Sequence, residues 1–122
     1  YGCKIEVKTS AYRQVWKQRK PSYLVFDVAQ KIDWENGDNV PKRHADVYVF
    51  CVFNNEQGGA SPLDLEAWDF YVAATADMDV ILGEQKTATL AALKKRLPLR
   101  VTGYTGLAMA IFDTYRSIGG ME

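Results

Sequence analysis

Glu6 and Lys8 stand two residues apart in the segment Ile5-Glu6-Val7-Lys8-Thr9. At i and i+2 of an extended chain, a carboxylate and an ammonium point to the same side of the pleat, roughly 6.5–7 Å apart. Hydrolysing a phosphodiester with a hard divalent ion needs oxygen ligands for the ion beside the scissile phosphate, a group to position water, and a cation for the developing charge. In that chemistry Glu6 would ligate Mg2+, the backbone carbonyl of Val7 would add a second oxygen, and Lys8 would orient water or offset phosphate charge. The competing reading is an exposed pair on one strand face, worth under about 1 kcal/mol. Spacing alone does not decide, because an acid-x-Lys triplet arises by chance about once in a chain of this length at average residue usage. Glu84-Gln85-Lys86 is a second copy here. It follows Gly83 and has no apolar face to hold it in a sheet, so the chemistry is assigned to the first copy.

The first copy needs a strand, and the alternation of Cys3, Ile5 and Val7 against Lys4, Glu6 and Lys8 predicts one over Cys3 to Thr9, anchored by its apolar side. Thr9 or Ser10 would then cap a helix that Pro21 stops near Lys20. Tyr12, Val15 and Trp16 form its apolar arc, while Arg13, Lys17 and Lys20 form a basic stripe suited to phosphate-backbone contact. Tyr-Leu-Val-Phe-Asp-Val-Ala over 23–29 reads as a strand, and 30–45 as a polar loop turning at Asn36-Gly37-Asp38. Asp46 to Phe53 is apolar on both faces, the pattern of a central strand covered on both sides. Residues 54–62 read as a loop and Trp68 to Thr75 as a further strand. Beyond it come a helical turn and short strand over 76–89, one or two helical turns over 90–96, and a closing amphipathic helix with Leu107, Ile111 and Tyr115 on one side. These elements predict one α/β domain over 1–122, with a mixed central sheet flanked by helices.

The composition, 48% hydrophobic and 25% charged with 15 basic and 15 acidic residues, suits a soluble globular chain. The longest apolar run, Val47 to Phe53, is too short to cross a bilayer. Cys3 and Cys51 lack the paired spacing of a zinc site and read as small apolar residues, which points to a reducing, cytoplasmic setting. The balanced charge is unevenly spread. Residues 1–43 carry nine basic and five acidic groups, 44–84 carry eight acidic groups and no Lys or Arg, and 85–122 carry six basic and two acidic. Such blocks suit a bipolar surface with a basic face for phosphates, or a merely solvated one.

Ile-Glu-Val-Lys-Thr-Ser-Ala-Tyr-Arg-Gln-Val-Trp over 5–16 resembles the second half of the active-site motif of the PD-(D/E)XK, or restriction-endonuclease-like, nuclease superfamily. The run 5–28, with the segments 45–53 and 68–75, also resembles bacterial members of that superfamily. The resemblance implies a restriction-endonuclease-like core and Mg2+-dependent hydrolysis of DNA. Glu6 would be a metal ligand, Lys8 the catalytic cation and Gln14 an auxiliary polar group, and a second subunit would suit double-strand cutting. The superfamily also places a metal-ligating Asp ahead of the acid-x-Lys strand, whereas only five residues precede Glu6 here and none is acidic. The expectation is that this Asp lies in an upstream segment of a longer polypeptide, or that the domain is a degenerate binding module. With one carboxylate the chain as given would be inactive. Asp27 is the best substitute within the chain, set against a solvent-facing carboxylate paired with a residue such as Arg43. His44 and Arg43 are weighed as phosphate contacts, and Trp34 as a nucleic-acid contact in its polar loop.

Overall fold

The computed structural model describes residues 2–11, 24–37, 39–53, 61 and 63–117. Among the described residues, six strands and three helices follow in chain order: β1 (Ile5–Ala11), β2 (Val25–Asp27), β3 (Val47–Phe53), β4 (Trp68–Ala74), α1 (Thr75–Leu82), β5 (Thr87–Thr89), α2 (Leu90–Arg96), β6 (Arg100–Thr102) and α3 (Leu107–Ser117). Four strands make a mixed sheet in the order β1-β3-β4-β6. β1 runs parallel to β3, and β4 lies antiparallel to both β3 and β6. β2 and β5 form a separate antiparallel pair.

β3 is the spine because every one of its residues is buried. Its β-branched and aromatic side chains alternate between two cores, as a strand's period of two requires. Tyr48, Phe50 and Val52 enter the larger core, with Phe26 and Val28 from the β2 segment, Met78 from α1 and Leu90 and Leu93 from α2. Phe26 meets Phe50 edge-on at 5.0 Å between ring centroids. Val47, Val49 and Cys51 enter the smaller core, where Phe70, Val72 and Ala110 are buried and Leu107, Ile111 and Tyr115 of α3 pack beside them. The α3 stripe and the alternation of β4 are therefore observed as expected.

Local chemistry fixes the helix ends. Thr89 Oγ1 accepts from the Ala92 amide at 3.1 Å and caps α2, whose last turn carries Lys94, Lys95 and Arg96 toward the negative end of the helix dipole. Gly83 ends α1 with φ of 54°, a positive value that favours glycine. No helix among the described residues is long and apolar enough to cross a membrane.

Two expectations need correction. β1 continues through Ala11, pairing Ala11 with Phe53, so no helix cap forms at Thr9 or Ser10. The parallel ladder runs as far as β3 does and keeps those residues extended. The apolar face of β1 is the open one, with Ile5 44% and Val7 56% exposed while Glu6 and Lys8 are partly buried. α3 covers mainly β4, β6 and β3, whereas the larger core rises under the polar face of β1. β6 was not expected from sequence, since its three residues follow Pro98 and Leu99 without a pattern of their own.

Candidate functional site

β1 positions Glu6 and Lys8 by register. Glu6 lies opposite Tyr48, and Lys8 opposite Phe50, so both side chains project over the larger core at the sheet edge. They meet there, with Lys8 Nζ 3.3 Å from Glu6 Oε2. The same ammonium lies 4.0 Å from Asp27 Oδ2, at the end of β2. One lysine thus touches two carboxylates from separate strands.

Asp27 is held in place from its own segment. Its Oδ1 accepts from the Ala29 amide and its Oδ2 from Lys31 Nζ, both at 2.9 Å. The Ala29 amide, then the Lys31 ammonium, favour the charged form and hold its pKa below the usual carboxylate value, against a smaller opposing effect of burial. The face that Asp27 shares with Val25 is open to solvent. Its partner is not Arg43, as weighed from the sequence, but the lysine pair.

Tyr48 forms the floor. Burial, and next the negative charge of Glu6, push its phenol pKa up, so the hydroxyl stays protonated. Neither Tyr48 nor Lys31 was singled out from sequence. The signal for Tyr48 was its place in an all-apolar strand, which marks a core residue and says nothing about its neighbour across the sheet.

Val7's carbonyl follows from the ladder. Lys4's carbonyl accepts from the amides of Asp46 and Val47 at 2.7 and 3.2 Å, which sets the phase of pairing. In a parallel ladder alternate residues bond to a given neighbour, so Glu6 and Lys8 turn their backbone groups to β3 and Val7 turns its own outward. Among the described residues β1 ends the row of four strands, which places the Val7 carbonyl on its outer side.

Arg43 is a structural clamp, which corrects its reading as a phosphate contact. Its side chain has no exposed surface and joins three segments. Nε donates to the Val28 carbonyl and Nη1 to Asp79 Oδ1, both at 2.9 Å, and Nη2 donates to the Gln85 carbonyl at 3.4 Å. The guanidinium fork suits such a junction because its donors diverge in one plane. Val28 directly follows β2, so this clamp fixes the strand that carries Asp27. His44 bonds the Lys31 carbonyl through Nε2 at 2.8 Å.

Gln14, Arg13, Lys17 and Lys20 lie outside the described residues, as do Tyr12 and Trp16. Glu84 and Lys86 flank the turn into β5 and line an open cleft of about 390 Å³ with Ala29, Gln30, Val40 and Pro41. Among the described residues those two side chains form no ion pair with each other.

Mg2+ binds hard oxygens and commonly takes one or two protein carboxylates, completing its shell with water and substrate phosphate. Glu6 and Asp27, which both contact Lys8, are the carboxylates that would have to meet that requirement, with the outward Val7 carbonyl as a further oxygen. Among the described residues no three Asp, Glu, His or Cys side chains converge into an all-protein metal cage. No family model matches the chain, and neither a curated protein nor a solved structure gives a significant match.

Proposed function

We propose that this chain is a Mg2+-dependent phosphodiesterase acting on DNA, built on a restriction-endonuclease-like core, with Glu6, Asp27 and Lys8 as its working groups. The observation that carries the reading is the contact of Lys8 Nζ with carboxylates from both β1 and β2. An ion pair formed only for the surface would need one acid. A lysine between two acids matches a site where cation and anion balance changes when a phosphate enters.

Glu6 and Asp27 would hold the divalent ion, and the Val7 carbonyl would add an uncharged oxygen. The ion, when bound, would polarise a phosphoryl oxygen and acidify its water. Lys8 is 21% exposed, so its charge is only partly screened, and it is placed to offset the negative charge that grows on the phosphate. With its carboxylates engaged by the metal, Lys8 would turn from them to the phosphate. The protonated Tyr48 hydroxyl would keep the site floor neutral. Asp27 follows the acid-x-Lys strand instead of preceding it, so the second carboxylate differs in chain order from the superfamily pattern. The expectation of an inactive chain rested on a single carboxylate; with Asp27 in the cluster, measurable cleavage is expected from this chain itself.

The test is cleavage of supercoiled plasmid and of labelled oligonucleotides in Mg2+ and in EDTA, with Glu6→Gln, Asp27→Asn and Lys8→Met alongside. Loss of one charge-stabilising group should lower the rate on the order of 100-fold or more. Wild-type protein without Mg2+-dependent cleavage would defeat the reading. Salt-sensitive DNA binding without cleavage would select the binding module instead.

A further inference from the structure

Beyond the cluster, the chain between Lys31 and Lys42 makes an excursion with a closed neck. The Lys31 amide donates to the Lys42 carbonyl at 2.8 Å, and the Lys42 amide donates back to Lys31 at 2.9 Å. His44 Nε2 adds a bond to the Lys31 carbonyl. Within the excursion, one turn of 3-10 helix (Trp34–Asn36) is braced from below. Asp33 Oδ2 accepts from Asn36 Nδ2 at 2.6 Å and Asp33 Oδ1 from the Asn36 amide at 3.4 Å. The Gly37 amide donates to the Trp34 carbonyl at 3.1 Å, closing the turn with Gly37 at φ 77°.

This braced turn buries no residue, and its Trp34 is 74% exposed. An indole on a fixed turn contributes nothing to either core. Lys31, at the neck, contacts Asp27, and Trp34 is three residues further on, so its Cα lies within about 10 Å of Lys31. The charges around the ring restrict what can sit on it. Asp33 and Glu35 flank Trp34 in sequence and repel a phosphate backbone, whereas the cations Lys31 and Lys8 lie toward the cluster. A neutral base can occupy the ring only if its phosphates stay on the lysine side, which requires it to be splayed away from its backbone. A paired base in a regular duplex is stacked on its neighbours and presents no such free face.

We infer that Trp34 is a stacking platform for an unpaired base of a single-stranded nucleic acid whose phosphates run past Lys31 toward the Glu6–Lys8–Asp27 cluster. The inference rests on the phosphodiesterase reading for the direction of the strand, while stacking itself needs neither metal nor cleavage. The experiment is therefore run in EDTA, following anisotropy of labelled oligo(dT), oligo(U) and a mixed-sequence duplex with the intact chain. Trp34→Ala should weaken binding of a single strand about 5- to 100-fold, the range seen when one base loses its aromatic partner. Trp34→Phe should recover most of that loss, and duplex binding should not depend on Trp34. Oligo(dT) and oligo(U) distinguish DNA from RNA, and a Trp34-dependent single strand of either kind supports the inference. Unchanged single-strand affinity in Trp34→Ala overturns it, as does no binding of either oligomer or equal dependence for the duplex. Because binding is read in EDTA and cleavage in Mg2+, failure of the chemistry and failure of the platform read out separately.

Discussion

The chain contains one tripeptide pattern twice, and the two copies end in different settings. Glu6-Val7-Lys8 lies on a strand whose ladder with β3 fixes both side chains over a core, where they meet each other and Lys8 also meets Asp27. Glu84-Gln85-Lys86 lies where α1 ends and β5 begins. Its backbone serves the fold: the Gln85 amide bonds the Leu82 carbonyl, and the Lys86 carbonyl accepts from Val28. Even the middle side chain is engaged, Gln85 Oε1 accepting from Arg96 at 3.1 Å. The flanking Glu84 and Lys86 are left exposed and apart. The lesson is that spacing places two groups on one side only where the backbone is held extended, and that a third partner comes from a neighbouring strand.

The largest expected difference is catalytic. Lys8→Met should cut Mg2+-dependent cleavage on the order of 100-fold or more, whereas Lys86→Met should leave it within a factor of about two, read from initial rates on one substrate. Equal losses would erase the distinction between the copies.

Next comes the clamp that links the two regions, since Arg43 ties the end of β2 to the Gln85 turn. Asp79→Ala leaves a guanidinium with no exposed surface beside two carbonyls and no carboxylate. It should cost about 3 kcal/mol in urea unfolding, the lower end for a broken buried pair because Asp79 itself is half-exposed. A cost below about 1 kcal/mol would mean that the clamp does not hold the strand carrying Asp27.

A smaller effect concerns acid. The Asp27 pKa is lower folded than unfolded, so the unfolded chain binds this proton more readily. The stabilisation is present in full above the ordinary carboxylate pKa of about 3.9 and is lost as pH falls through the lower folded value. Asp27→Asn should flatten that part of the thermal midpoint profile, modestly because the side chain is 48% exposed. Asp33 is also held low, by Asn36, so a residual slope should remain. A slope unchanged by Asp27→Asn would show that its bonds to Ala29 and Lys31 are not kept in solution.

The smallest effect belongs to the second copy. Glu84→Gln and Lys86→Met should each shift unfolding free energy by no more than about 0.5 kcal/mol, as for surface positions with no buried partner.

Much of the scaffold was legible because it follows from local periodicity. Seven consecutive apolar residues in β3 announce a strand buried on both faces, and the alternation in β4 sorts Phe70 and Val72 from Tyr71 and Ala73. The α3 stripe of Leu107, Ile111 and Tyr115 is equally direct. The site was half legible. A two-residue repeat puts Glu6 and Lys8 on one face, but says nothing of which face is covered. The open side of β1 carries Ile5 and Val7, against the usual preference, because the larger core forms under the other side.

What the sequence alone determined is therefore which side chains share a face, since φ and ψ at neighbouring residues settle that within a few ångströms. Tertiary structure decided which faces meet. It brought Asp27 to Lys8, 19 positions apart in the chain, chose Asp79 over Asp27 for Arg43, and turned the Val7 carbonyl away from β3. Those outcomes depend on how two sheets stack around shared aromatic side chains, a non-local balance of burial and charge that no short stretch of residues contains.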